Sequence, residues 1–118
     1  MSCFSFRIRK RYFDAIVEGK KTVEYRRDIP FWQKRIINSD PGNEHLREAV
    51  EDPKRLFEFE DLKGEGYTAV FICGKRIHKR EVVKISRIKT PTDFSDQGKL
   101  DVNTETCWAF HLGDEYNE

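Results

Sequence analysis

Residues 19–27 read GKKTVEYRR and bring an amine, a carboxylate and a guanidinium into one short stretch: Lys21, Glu24 and Arg26. A lysine set near other cations or in a dry pocket loses its proton near neutral pH and becomes a base or a nucleophile. A carboxylate relays protons or accepts hydrogen bonds, and a guanidinium offers a bidentate fork to an anion or to the edge of a base. Written as a strand, the stretch puts Val23 and Tyr25 on one face and Thr22, Glu24 and Arg26 on the other, because alternate residues share a face. That second face is either a solvated surface or a binding site. Lys21 has the opposite parity, but it stands at the turn into the strand, where alternation constrains least.

These side chains need a frame, and the chain opens with one. Phe4, Phe6 and Ile8 alternate with Ser5, Arg7 and Arg9, which predicts a strand over residues 3–9. Tyr12, Phe13, Ile16 and Val17 recur at helical spacing, and Gly19 follows as a C-terminal cap able to take positive φ. Residues 20–27 then form the second strand, with Lys20 and Lys21 delivered to its start. Pro30 reads as a helix start, continued by Phe31, Trp32, Arg35 and Ile36.

Further along, Asn43 is placed to cap a helix running through Val50, and Asp52 with Pro53 to start another carrying Leu56, Phe57 and Phe59. Residues 40–62 therefore read as an acidic helical insertion, either a solvated cover on the sheet or a site for a protein partner. Strand signals return with TAVFIC and VVKISRI, joined by a turn or loop containing GKRIHKR, and close with CWAFHL. Residues 90–104 read as a loop. The resulting expectation is a single domain over residues 1–118, α+β and mainly β: a small barrel-like sheet of about five to six strands covered by helices, opening strand, helix, strand.

The net charge is only +1, yet it is laid out in blocks. Residues 1–39 hold ten basic against four acidic residues, residues 40–66 four against nine, residues 67–90 seven against one, and residues 91–118 one against seven. If the fold unites the two basic blocks, one face attracts phosphate; otherwise the blocks neutralise their neighbours. Lys75, Arg76, Lys79 and Arg80, with Arg7, Arg9 and Arg11, are candidates for such a cationic rim, and Trp32, Tyr25 or Phe31 for stacking an unpaired base. The alternative for residues 75–80 is an exposed hairpin with solvating charges. Cys3, Cys73 and Cys107 are dispersed, as are His45, His78 and His111, and no glycine-rich phosphate loop is present. No metal or cofactor is expected. No apolar run spans a bilayer and no secretory leader is seen, so a cytoplasmic protein with no membrane partner is expected.

Gly19, Lys21, Glu24 and Arg26 match the spacing G-x-K-x-x-E-x-R, and with their strand-helix-strand frame they resemble the ASCH domain, a PUA-like β-barrel. KTVEYRRDIPFWQKRI resembles a branch of small ASCH proteins, TAVFICGKR the family's central strand and turn, and CWAFHLG its closing strand. The resemblance covers residues 3–37 well and 67–89 and 105–113 loosely. It implies a cleft lined by Lys21, Thr22, Glu24 and Arg26 that binds single-stranded RNA, a nucleotide or a modified base. Some small ASCH proteins are amidohydrolases that deacetylate N4-acetylcytidine, and a few are reported to cleave RNA. Carried onto this chain, Lys21 falls at the position of the amidohydrolases' catalytic lysine. Glu24 stands where they have threonine; it is a candidate acid or base here, and equally a clamp on Arg26 or an acceptor that reads a base edge.

Overall fold

The computed structural model describes residues 2–53, 55–91 and 105–115. Strand β1 (Ser2–Arg7) buries Phe4 and Phe6 and turns Cys3, Ser5 and Arg7 to solvent, as its alternation requires. Helix α1 (Lys10–Val17) buries Phe13 and Ile16 and stops at Gly19, where φ is +77°. Past that residue the amides of Lys20 and Lys21 both fold back onto the Ala15 carbonyl, at 2.9 and 3.0 Å. Those bonds satisfy the helix end and fix where Lys21 leaves it. Strand β2 (Val23–Arg27) begins three residues later than the sequence expectation, because residues 20–22 are spent on this cap and turn.

Helix α2 (Pro30–Ser39) starts on Pro30, and helix α3 (Glu44–Glu51) is capped by the Asn43 side chain, which accepts from the Leu46 amide at 3.0 Å. The helix expected from Asp52 is replaced by strand β3 (Phe57–Phe59), in which Phe57 and Phe59 pack on the core and Glu58 is exposed. A period of two in FEF, with a neighbouring strand available to pair, overrides the Asp-Pro helix signal. The segment expected as a helical insertion is thus a helix followed by a strand, and Leu46, Ala49, Val50 and Leu62 are buried in the body of the protein.

Strand β4 (Tyr67–Cys73) passes through a tight turn at Gly74 (φ +60°) and Lys75 into β5 (Arg76–Lys89). The turn is therefore two residues long, and Arg76, Lys79 and Arg80 belong to β5 instead of to a loop. The last strand is β6 (Thr106–Glu115). The strands form one mixed sheet in the order β1-β4-β5-β6-β2, parallel between β1 and β4 and antiparallel elsewhere. The length of β5 lets its first half pair with β4 and its second half with β3. Register shifts between Arg80 and Lys84, where β5 faces β6, mark bulges, and bulges bend a sheet. Among the described residues the outcome is a curled half-barrel with three helices, whose sheet path ends in β1 and β2.

Phe4, Phe6, Phe71 and Phe110 fill the concave side, with Phe6 5.3 Å from Phe71 and 5.1 Å from Phe110. Burial of each such ring contributes about 1.5–3 kcal/mol. Trp32 of α2 lies on Phe6 at 5.2 Å and covers the seam between the two edge strands. Among the described residues no helix is long and apolar enough to cross a membrane.

Candidate functional site

The polar face of β2 points inward. Glu24 is paired with Phe110 and Arg26 with Trp108 in the β2/β6 register, and residues directly opposite in a ladder share a face. Glu24 and Arg26 therefore enter the concave side of the half-barrel, while Val23 and Tyr25 take the outer side. Glu24 is 4% exposed and Lys21 6%. The Lys21 amine, brought round by the Gly19 cap, lies 3.0 Å from Glu24 Oε1 and donates to the Val23 carbonyl at 2.7 Å. Arg26 donates from its terminal nitrogen to Glu24 Oε2 at 2.7 Å.

One carboxylate thus bridges the Lys21 amine and the Arg26 guanidinium, an oxygen to each. Aromatic rings flank the trio. The Arg26 guanidinium carbon is 4.9 Å from the Phe6 ring centre on β1 and 5.6 Å from that of Trp32 on α2, and the Tyr25 ring centre, on the outer side of β2, is 5.8 Å from the Lys21 amine. Arg26 spans the seam from β2 to β1. Its Nε is buried with no hydrogen-bond acceptor, an arrangement that costs free energy unless a partner is supplied. With 24% of its side chain exposed, Arg26 is also the member of the trio that solvent reaches.

The other residues singled out from sequence divide sharply. Thr22 is exposed, its carbonyl accepting from the Leu112 amide at 2.8 Å. Trp32 is 6% exposed, a core residue that walls the recess from inside, and Phe31 beside it is 51% exposed. Arg80 donates to the Gly113 carbonyl and, at 3.1 Å, to the Ile16 carbonyl at the end of α1. Arg76 is 3.0 Å from Asp14 and 4.4 Å from the Phe13 ring centre, which ties it to α1. Lys75, Arg7, Arg9 and Arg11 are exposed, and Lys79 is half-buried on β5. His111 lies on the outer face with Ala109 and Cys107, 3.3 Å from the Ser86 hydroxyl. A depression of about 370 Å³ opens near Ser39 and Tyr67, but Asp40, Glu60, Asp61 and Glu65 line it, a wall that repels phosphate.

A second buried ion pair escaped the sequence reading. Arg87 of β5 is 1% exposed and donates to the carbonyls of Ala49 (3.0 Å), Val50 (2.9 Å) and Asp52 (3.0 Å) at the end of α3. Its Nε is 2.8 Å from Asp28 Oδ2. Asp28 also accepts from Gln33 at 2.9 Å and from Thr106 at 2.6 Å. Burial pushes the Asp28 carboxyl up, and the hydrogen bonds from Gln33, Thr106 and Arg87 outweigh it, holding the group below the usual carboxylate range. This cluster anchors the start of α2, and so Trp32, against β5 and β6. Its signal in the sequence was an arginine two positions after Ile85, on the core-facing parity of a strand.

No family model matches the chain, and no curated protein or solved structure matches it.

Proposed function

We propose that the chain is an ASCH-type, PUA-like domain whose recess binds a nucleobase-bearing ligand, a single-stranded RNA or a modified nucleotide. The observation that carries this reading is the convergence of Lys21, Glu24 and Arg26 beside the rings of Phe6 and Trp32, between the two edge strands of the sheet. A guanidinium with an unsatisfied N–H suits a ligand oxygen or ring nitrogen as acceptor. The exposed Arg7, Arg9, Arg11 and Lys75 supply phosphate contacts. Fluorescence anisotropy with a labelled single-stranded RNA tests this: affinity should fall steeply with salt and drop in Lys21→Met. Salt-independent binding, or binding indifferent to the substitution, removes the reading.

One observation favours a catalytic version of the same site. The Lys21 amine and the Glu24 carboxylate are in contact at 3.0 Å with side chains only 4% and 5% exposed, dry surroundings in which electrostatic groups act strongly. On this reading the substrate is an N4-acylated cytidine. With the proton that the pair shares resting on Glu24, Lys21 as the neutral amine takes a proton from the water that adds to the acyl carbon, and Glu24 gives its own proton to the exocyclic nitrogen as the C–N bond breaks, which leaves the pair as ammonium and carboxylate. Arg26 holds the acyl oxygen as charge develops on it, and the products are the free carboxylate and cytidine. Incubation with N4-acetylcytidine decides between binding and turnover. Product that disappears in Lys21→Ala supports catalysis; absence of product from the native protein, or undiminished product in the variant, leaves binding alone.

A further inference from the structure

Outside the recess, α2 carries a feature that neither the core nor the trio uses. Phe31 stands in its first turn with 51% of its surface exposed, and the Arg35 guanidinium carbon lies over its ring, 3.6 Å from the centre. Isolated exposed apolar side chains are common, but this one is sandwiched by a cation. Among the described residues, no carboxylate is paired with Arg35, whose only other ring neighbour is Trp32 at 5.9 Å. Phe31 in turn meets Trp32 edge to face at 5.3 Å, and Trp32 meets Arg26 at 5.6 Å. A guanidinium, two rings and a second guanidinium thus form a series running from the recess to the surface.

Aromatic rings and guanidinium planes are the surfaces on which unpaired bases stack, and a cation beside them attracts the intervening phosphate. Helix α2 adds Lys34 next to Arg35 and holds no acidic residue between Pro30 and Ser39. An acidic peptide would satisfy the charges but has no use for an exposed ring beneath one of them. We infer that Phe31 and Arg35 form a stacking platform for the nucleotide adjacent to the one in the recess, so that the protein takes single-stranded nucleic acid in preference to an isolated nucleotide. This rests on reading the recess as a nucleobase site.

The test compares cytidine 5′-monophosphate with a short cytidine-containing oligoribonucleotide, in the native protein and in Phe31→Ala, Phe31→Tyr and Arg35→Ala. Loss of one base stack is expected to weaken the oligonucleotide by about five- to hundredfold in Phe31→Ala, with Phe31→Tyr near native and the mononucleotide unaffected throughout. Both side chains are exposed, and an unchanged circular dichroism melt establishes that each variant is folded. Equal affinity of the native protein for the two ligands, or a Phe31→Ala substitution that leaves oligonucleotide affinity unchanged or weakens both ligands equally, overturns the platform and leaves the recess standing. A loss in Arg35→Ala without one in Phe31→Ala overturns stacking in favour of charge alone. Binding of neither ligand by the native protein removes the recess reading, and the platform with it.

Discussion

Replacing Arg87 by methionine is expected to destabilise the protein by about 3–5 kcal/mol, the usual cost of removing one partner from a buried ion pair. Methionine keeps much of the volume and the apolar contact with Trp108, whose ring centre lies 4.6 Å from the guanidinium carbon, so a cavity contributes little. What is lost is polar. Asp28, whose side chain is 7% exposed, keeps Gln33 and Thr106 as donors but loses its counter-ion. The carbonyls of Ala49, Val50 and Asp52 lose a shared donor at the end of α3, and each group left unsatisfied adds about 1–3 kcal/mol if water cannot reach it. Access of water after the last turn of α3 loosens keeps the total near the lower bound. With a urea slope of roughly 2 kcal/mol per molar, the unfolding midpoint should fall by about 1.5 M. Because Asp28 precedes α2, the same variant should broaden signals from Phe31 and Trp32 in a heteronuclear spectrum. A loss of less than about 1 kcal/mol would mean that the pair behaves as a surface contact, and the account of how α2 is anchored would be wrong.

Burial holds the imidazole of His78 below its ordinary value, with Glu115 opposing and Arg80 reinforcing, and burial and Lys84 hold His111 low against Glu58. Below about pH 6.5 the unfolded chain takes up protons that these native imidazoles refuse, so stability should decline as pH falls from about 7.5 to about 5.5. Urea midpoints measured across that window should show a shallower decline in His78→Gln, and a pH-independent native midpoint would count against both burials. Burial pushes the Cys107 thiol up to about 11, whereas Cys3 is exposed. Brief iodoacetamide treatment of the native protein followed by mass spectrometry should therefore label Cys3 and spare Cys107 until denaturant is added; comparable labelling of both would contradict the packing of β6. Arg80→Ala should cost about 1.5–3 kcal/mol by uncapping α1 and freeing the Gly113 carbonyl, and a melting temperature within error of native would return Arg80 to the list of candidate phosphate contacts.

The local signals in the sequence translated directly into structure. Gly19 ends α1, Asn43 caps α3, Pro30 opens α2, and the alternation of β1 buries the two phenylalanines it should. What local pattern could not supply was the identity of distant neighbours. Alternation placed Glu24 and Arg26 on one face of β2, but only the register with Phe110 and Trp108 of β6 makes that face the inner one. Lys21 joins them because the cap on Ala15 turns the chain, a contact that strand parity does not describe. The helix expected after Asp52 gave way to β3 because the second half of β5 offered an unpaired edge. Arg76 and Arg80 read as members of a basic turn, yet most of their donors go to α1 and β6 across sequence separations of 33 to 64 residues. Arg87 was invisible for the same reason, since its acceptors lie at the end of a helix that sequence pattern cannot bring to β5.

On the proposed reading Lys21, Glu24 and Arg26 act together as a ligand site and not as a buried structural knot. Arg26→Lys separates the two, because the substitution keeps the positive charge beside Glu24 and removes the planar fork and its spare N–H groups. Titration of single-stranded RNA by anisotropy, at one fixed salt concentration and with native-like thermal stability verified, is predicted to give an affinity at least about tenfold weaker in the variant. Native affinity in a folded Arg26→Lys protein would contradict the claim and leave the trio as an internal brace between β2 and β1.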